Sequence, residues 1–213
     1  MTAPHVLMLS AAHPPEDLRV VGKEGAALAA AGWRVTHLCP GDPAAEPRCH
    51  AGVAIRCHAR APGWRGRLLG IPALARQARA LEAAVIHASE PDAWLAAILA
   101  ARGTATRVVL DVHEHYPSRL DPRLPAWLRP PARGAIRLAC RLMARRAEAV
   151  VVAKDGLAGD FGVPDRTVAV RNYALPAPVS PRRHGPGAVT LVHLGAIGLS
   201  RGWPALLAAR ALA

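Results

Sequence analysis

Aromatic side chains make up only 4% of this 213-residue sequence, and Lys23 and Lys154 are its only lysines. A core must therefore be assembled from Ala, Leu and Val, and the 52% hydrophobic content supplies enough of them. No aromatic-rich strand pair, helix-turn-helix pattern or zinc-finger spacing occurs, so nucleic acid is not an expected partner. Neither GxGxxG nor GxxxxGK[ST] is present, which removes a dinucleotide fingerprint and a P-loop and leaves no cofactor to predict. Cys39, Cys49, Cys57 and Cys140 form no CxxC pair. Cys49-His50 and Cys57-His58 echo each other, but structural zinc sites favour closely paired ligands, so no metal site is assigned. No apolar run reaches the ~18 residues needed to span a bilayer. The sequence enters the run His5 to Leu9 with no basic segment before it, unlike a secretory signal. A cytoplasmic protein with reduced thiols is the expectation.

What is abundant is arginine. The net charge is +12 and nearly all of the positive charge is Arg. A compositional bias towards Arg and Ala accounts for this, and so does attraction to an anionic surface, because summed charge concentrates oppositely charged partners. Arg129, Arg133, Arg137, Arg141 and Arg145 recur every four residues, while Ile136, Cys140, Met143 and Ala147 fall on another side of the same helix. Such a stripe is either a solvated helix face or a surface for anionic lipid, read through Arg133, Arg137, Arg141 and Arg145. Pro130, Pro131 and Gly134 place the helix start after them, which leaves Arg129 outside the stripe.

The apolar period alternates between strand and helix along the chain. Strands are predicted at residues 5–9, 34–38, 53–57, 84–87, 107–112, 149–153 and 167–171. Helices are predicted at 18–31, 66–83, from Pro91 to Leu99, at 132–147 and at 157–161. Gly32 stands where a C-cap glycine belongs, and Pro91 suits a first helical turn. Residues 40–52 read as a loop. This alternation predicts an α/β fold with a doubly wound, Rossmann-like parallel sheet. Runs such as Val108-Val109-Leu110 and Val150-Val151-Val152 suit strands buried on both faces. At 213 residues the chain exceeds the roughly 100–200 of an ordinary domain. Residues 1–173 form the first domain of this reading and 174–187, rich in proline, a linker. Residues 188–213 form one strand, one loop and one helix. A lone strand and helix cannot bury their apolar faces, so this last part reads as the opening of a second α/β domain whose remainder is absent.

In open α/β sheets, ligands bind beyond the carboxyl ends of the strands. Three predicted strands end in polar loops carrying histidine. The first holds His13, Asp17 and Arg19; the second holds His87 and Glu90; the third runs through Asp111, His113, Glu114, His115 and Tyr116. Loops leaving neighbouring strands converge on one crevice, which makes these residues the candidate site. Glu16 and Asp17 argue against a phosphate at the first helix N-terminus. Asp111, His113 and His115 alternate and so share a face in an extended strand; with His87 they could hold a metal for hydrolysis. A non-catalytic, truncated module is a further alternative.

These stretches together resemble the retaining glycosyltransferases of family 4, which have the two-domain GT-B fold. The likeness runs through Asp17-Leu18-Arg19-Val20, Lys23-Glu24 and Leu28 to Val35, then His87 with Glu90-Pro91, and Asp111 to Ser118. It continues through Ala147 to Ala153, Val170 to Tyr173, and His193 to Gly202. The resemblance implies transfer of a sugar from a nucleotide-sugar donor to an acceptor held by the first domain, such as a lipid-linked or cell-surface glycan precursor. His113 matches the family histidine facing the donor sugar and is the implied catalytic residue. His13, Asp17, Arg19, His87, Glu90, Glu114 and Tyr116 are implied on the acceptor side, and Gly195, Arg201 and Gly202 on the donor side. Arg201 stands where the family usually has a lysine neutralising the donor diphosphate, and Arg can do this bidentately. The sequence departs from the family at Ala11-Ala12, where a glycine pair is common, and at Ala196, where many members carry a basic residue. It ends before the family's paired-glutamate segment, so the 213 residues are not expected to turn over alone. A lipid-linked acceptor would place the protein peripherally at the inner face of the cell membrane.

Overall fold

A computed structural model describes residues 3–44, 48–173, 185–187, 197–198 and 202–211. It divides into two compact units, residues 1–174 and 175–213. The first is built on β1 (His5–Leu9), β2 (Arg34–Gly41), β3 (Arg48–His50), β4 (Val53–Ala59), β5 (Val85–Ala88), β6 (Arg107–Val112), β7 (Ala149–Val152) and β8 (Thr167–Ala169). These form one sheet in the order β3-β4-β2-β1-β5-β6-β7-β8, parallel throughout except for the β3–β4 pair. The chain moves from β1 outward through β2 to β4, then crosses back to place β5 on the other side of β1. The doubly wound α/β fold is thus present, with its switch point between β1 and β5.

All five side chains of β1 are buried, as expected of a strand covered on both faces. One face packs α2 (Gly63–Arg79), α3 (Pro91–Ala101) and α4 (Arg129–Ala144) over a core that includes Leu7, Leu9, Ile86, Trp94 and Leu110. The other face packs the segment after β1 against Met8, Val35, Val53 and Ile55. That segment is not the uniform helix predicted. Val20–Gly25 winds as a π-helix before α1 (Ala26–Ala30) begins. Gly32 closes α1 at φ +87°, the left-handed cap expected of it.

Three further predictions change. The expected loop at 40–52 contains the end of β2 and an antiparallel edge strand, β3, whose residues are all exposed. Helix α4 begins at Arg129, because Pro130 and Pro131 fit in a first turn whose N–H groups need no intrahelical partner. The short helix predicted at 157–161 is instead a 3-10 segment, Asp155–Asp160; residues 116–128 likewise wind through three 3-10 turns, each with a proline in or beside it. In the second unit α5 spans Trp203–Ala211; the predicted strand at 189–194 and most of the linker lie outside the described residues. Among the described residues no helix is long and apolar enough to cross a membrane.

Candidate active site

Strands β1, β5 and β6 are adjacent, so the loops that follow them meet at one rim. Glu90, at the N-cap of α3, is the hub of that rim. Its carboxylate accepts from Ser10 Oγ at 2.8 Å and from the amides of Ala11 and Ala12 at 3.1 and 3.2 Å. Ser10 Oγ also receives the His13 amide at 2.8 Å. The first loop is thereby folded onto the end of β5. It carries His13 to within 3.4 Å of Glu90 Oε1 through Nε2, while Nδ1 meets Asp17 Oδ2 at 2.9 Å. The edge of the His13 ring meets His113, with centroids 4.8 Å apart.

Asp17 is held by three donors. Besides His13, the amides of Arg19 and Val20 reach its Oδ1 at 2.9 Å each, as at a capped helix start. Burial works against its charge, yet these bonds keep its carboxyl well below the usual range. His13 is the counterpart: burial favours its neutral form, but the bond to Asp17 and the charge of Glu90 raise its pKa.

A second layer lies beneath. Asp111, in β6, is fully buried. Its Oδ2 lies 2.5 Å from His113 Nε2 and its Oδ1 3.0 Å from Arg19 Nη2. Burial opposes the Asp111 charge, but His113, His87 and Arg19 together hold its pKa below the usual value. The anion must accept, so His113 Nε2 carries a proton and Nδ1 is the nitrogen left for other work. Arg19 Nη2 also lies 2.9 Å from Glu24 Oε1. The π winding, with its i to i−5 bond from Glu24 N to Arg19 O at 3.0 Å, turns both side chains towards Asp111. Burial, followed by the Asp111 charge, pushes the Glu24 carboxyl up to about 8. His87 Nε2 stands 3.8 Å from Asp111 Oδ2, and burial lowers the pKa of this ring.

A cavity of about 890 Å³ opens from His13, Glu90 and His113. Glu114 and Tyr116 also line it; Glu114 pairs with Arg119 at 2.5 Å, and the Tyr116 hydroxyl, its pKa raised by burial, donates to Ser89 O at 3.4 Å. Away from this polar end the walls turn apolar. Trp64 and Leu68 of α2 face Leu142 and Met143 of α4 across it, and Trp64, Leu68 and Leu142 are 72%, 56% and 52% exposed. Asp92, held by Arg67 through two bonds of 2.6 and 2.7 Å, marks the boundary.

Of the residues singled out by sequence, His13, Glu90, His113, Glu114 and Tyr116 line this cavity. Asp17, Arg19 and His87 do not; they form the layer that supports it. Gly195 and Arg201 lie outside the described residues, and Gly202, at φ +78°, precedes α5 in the second unit. The four ligands of the metal alternative do not assemble, because His115 turns away to Asp160 at 3.1 Å and Ser118 at 2.6 Å. Glu24, His87 and Asp111 do come within 4.8 Å of one another, but the Arg19 guanidinium already occupies that place. The arginine stripe is also altered. Arg133 bonds Asp121 and Arg137 bonds Asp160, so half of the four charges read as a lipid surface are paired within the protein. Sequence reasoning missed Glu24 and the apolar walls. It placed Asp111 in a strand-end loop and as a candidate metal ligand, but not as a buried anchor, although a carboxylate inside an apolar strand was the signal.

A family described as glycosyl transferase 4-like domain matches residues 19–173. No curated protein matches the chain in sequence. Among solved structures, sucrose-phosphate synthase of Thermosynechococcus elongatus superposes with a TM-score of 0.59 at 13% identity, over 79% of this chain and 48% of that one. HepE of Anabaena, solved with UDP and glucose, gives 0.51 at 16% identity over 79% and 44%. A glycosyltransferase of Rickettsia africae gives 0.51 at 11% identity over 80% and 43%. The chain thus spans a little under half the length of these three structures, which share its fold.

Proposed function

The chain belongs to the glycosyl transferase 4-like domain family, and from that premise we propose that residues 1–174 hold the acceptor for transfer of a sugar from a nucleotide-sugar donor, with retention. The observation that carries this reading is the relay from Arg19 through Asp111 to His113, ending at the mouth of the 890 Å³ cavity. Asp111 fixes the His113 ring and its tautomer, so that Nδ1 is aimed by a buried anion and not by solvent. A ring held in this way can bond the donor sugar and place the partial charge that an oxocarbenium-like transition state needs. His13, held between Asp17 and Glu90 with its ring against His113, fixes the wall of the cavity beside it. HepE binds UDP and glucose, which supports a nucleotide sugar as the donor class here. His113→Ala, assayed with a complete donor domain present, is expected to lower sugar-nucleotide turnover by at least about a hundredfold; unchanged turnover removes His113 from the mechanism.

The acceptor we propose is lipid-linked. Leu68, Leu142 and Met143 offer no hydrogen-bond partner and Trp64 only its indole N–H, so this end of the cavity suits an apolar chain leading away from a polar head. Such an acceptor sits in a bilayer, so the reading carries with it a peripheral position at the inner face of the cell membrane. Trp64 supplies the readout. Titration with a short-chain alkyl glycoside is expected to change tryptophan emission saturably, while free glucose does not, and Leu142→Asp and Trp64→Phe are each expected to abolish the change. An equal response to glucose would refute the lipid-linked acceptor and leave sugar transfer standing.

A further inference from the structure

Helix α3 has a cavity at each end. The second, of about 840 Å³, lies at the amino ends of the strands, opposite the crevice. Arg107 opens β6 there, Arg102 follows α3, Arg145 and Arg146 follow α4, and Arg166 closes the turn before β8. Glu148 is the one carboxylate on the wall. Among the described residues none of these five guanidinium groups pairs with a carboxylate; Arg166 Nη1 donates to Ala147 O at 2.6 Å. Some arginines elsewhere are paired, as in Arg67–Asp92, Arg137–Asp160 and Arg171–Asp155; what sets these five apart is that they line one concavity together.

Two helix carboxyl ends point to this place, and their dipoles favour cations. That explains Arg102, Arg145 and Arg146 in part. It does not explain Arg107 and Arg166, which begin a strand and end a turn. Like charges lining one concavity repel, and here five face one. We infer that this cleft binds clustered phosphate groups. A guanidinium fork matches phosphate oxygens bidentately, and a ligand with one carboxylate would leave most of the charge unmet. Leu95, Ile98 and Leu99 form an apolar side to the cleft, so an apolar group attached to the phosphates is accommodated. The inference is independent of the sugar-transfer reading, since the two cavities share only Leu95.

Phosphate clusters come either from a soluble polyphosphate or from an anionic lipid surface. The 213-residue chain is titrated calorimetrically with inorganic pyrophosphate, and sedimented with phosphatidylcholine vesicles with and without phosphatidylglycerol. Saturable pyrophosphate binding assigns a soluble ligand; sedimentation that requires phosphatidylglycerol, without pyrophosphate binding, assigns the lipid. In either case R102Q/R145Q/R146Q is expected to weaken binding by about tenfold per guanidinium removed. R56Q/R60Q, which removes charge from β4 and the residues after it, is expected to leave binding unchanged. Should the triple variant fail to fold, R107Q and R146Q are tested singly for the same direction. Binding of neither ligand, or equal loss in R56Q/R60Q, overturns the inference.

Discussion

Arg19 offers one nitrogen, Nη2, to two carboxylates, at 3.0 Å from Asp111 and 2.9 Å from Glu24. Both cannot be ionised at little cost in a buried place, and the geometry favours Asp111, which also has His113. Glu24 therefore keeps its proton up to about 8, against an ordinary 4.5. An unfolded chain releases that proton near 4.5, so between these values the folded state binds more protons and stability falls as pH rises. Glu24→Gln imitates the protonated carboxyl and removes the dependence. Relative to the parent, the variant is expected to be near neutral at pH 5 and more stable at pH 8, by one to a few kcal/mol in order of magnitude, since one unit is about 1.4 kcal/mol. Urea unfolding of both proteins across this range checks it; parallel curves would place the proton elsewhere. Sequence marked Glu24 only as one residue of a family-like stretch, with no role attached. Its role exists only because a π turn aims it at a strand 87 residues further on.

Two glycines on helices separate close packing from mere tolerance. A Cβ at Gly25 would stand 2.9 Å from Val53 Cγ2 and 3.0 Å from Val20 O, whereas one at Gly134, inside α4, meets nothing within 4 Å. Helix propensity favours Ala over Gly by about 1 kcal/mol at either site. At Gly134 that gain stands alone, so Gly134→Ala is expected to stabilise by about 0.5–1 kcal/mol. At Gly25 it is set against overpacking of about 1–3 kcal/mol, and Gly25→Ala is expected to destabilise. Denaturant midpoints of the two variants should move in opposite directions. The same contrast governs what the sequence discloses about elements. β1, β6 and β7 were legible because strands covered on both faces demand nearly continuous apolar runs. β3 was not: its Arg48, Cys49 and His50 are exposed, and only the ladder to β4 holds them. The π turn was equally hidden, because Gly25 packs closely on Val53 of a distant strand, a contact between segments.

Across the whole molecule, the rim of His13, Glu90 and His113 could be anticipated because topology, not side-chain detail, brings strand ends together. The apolar walls could not, since they depend on how α2 and α4 cross the sheet. Charge acts at this scale too. Twenty-seven Lys and Arg face 15 Asp and Glu. Exposed pairs such as Arg171–Asp155 contribute about 0–1 kcal/mol each and weaken with salt. The unmatched +12 repels itself, opposes compaction and is screened by the same salt. Between about 20 and 200 mM NaCl the screening length shrinks from roughly 20 Å to roughly 7 Å, which spans the separation of charges across the surface but not that of pairs in contact. Repulsion therefore fades faster than attraction, and Tm is expected to rise by a few degrees over this range. Calorimetric scans at several salt concentrations decide it, and a falling Tm would mean that the paired arginines, Arg133 and Arg137 among them, outweigh the excess. R102Q/R145Q/R146Q, which thins the densest unpaired cluster, is expected to show the smaller rise.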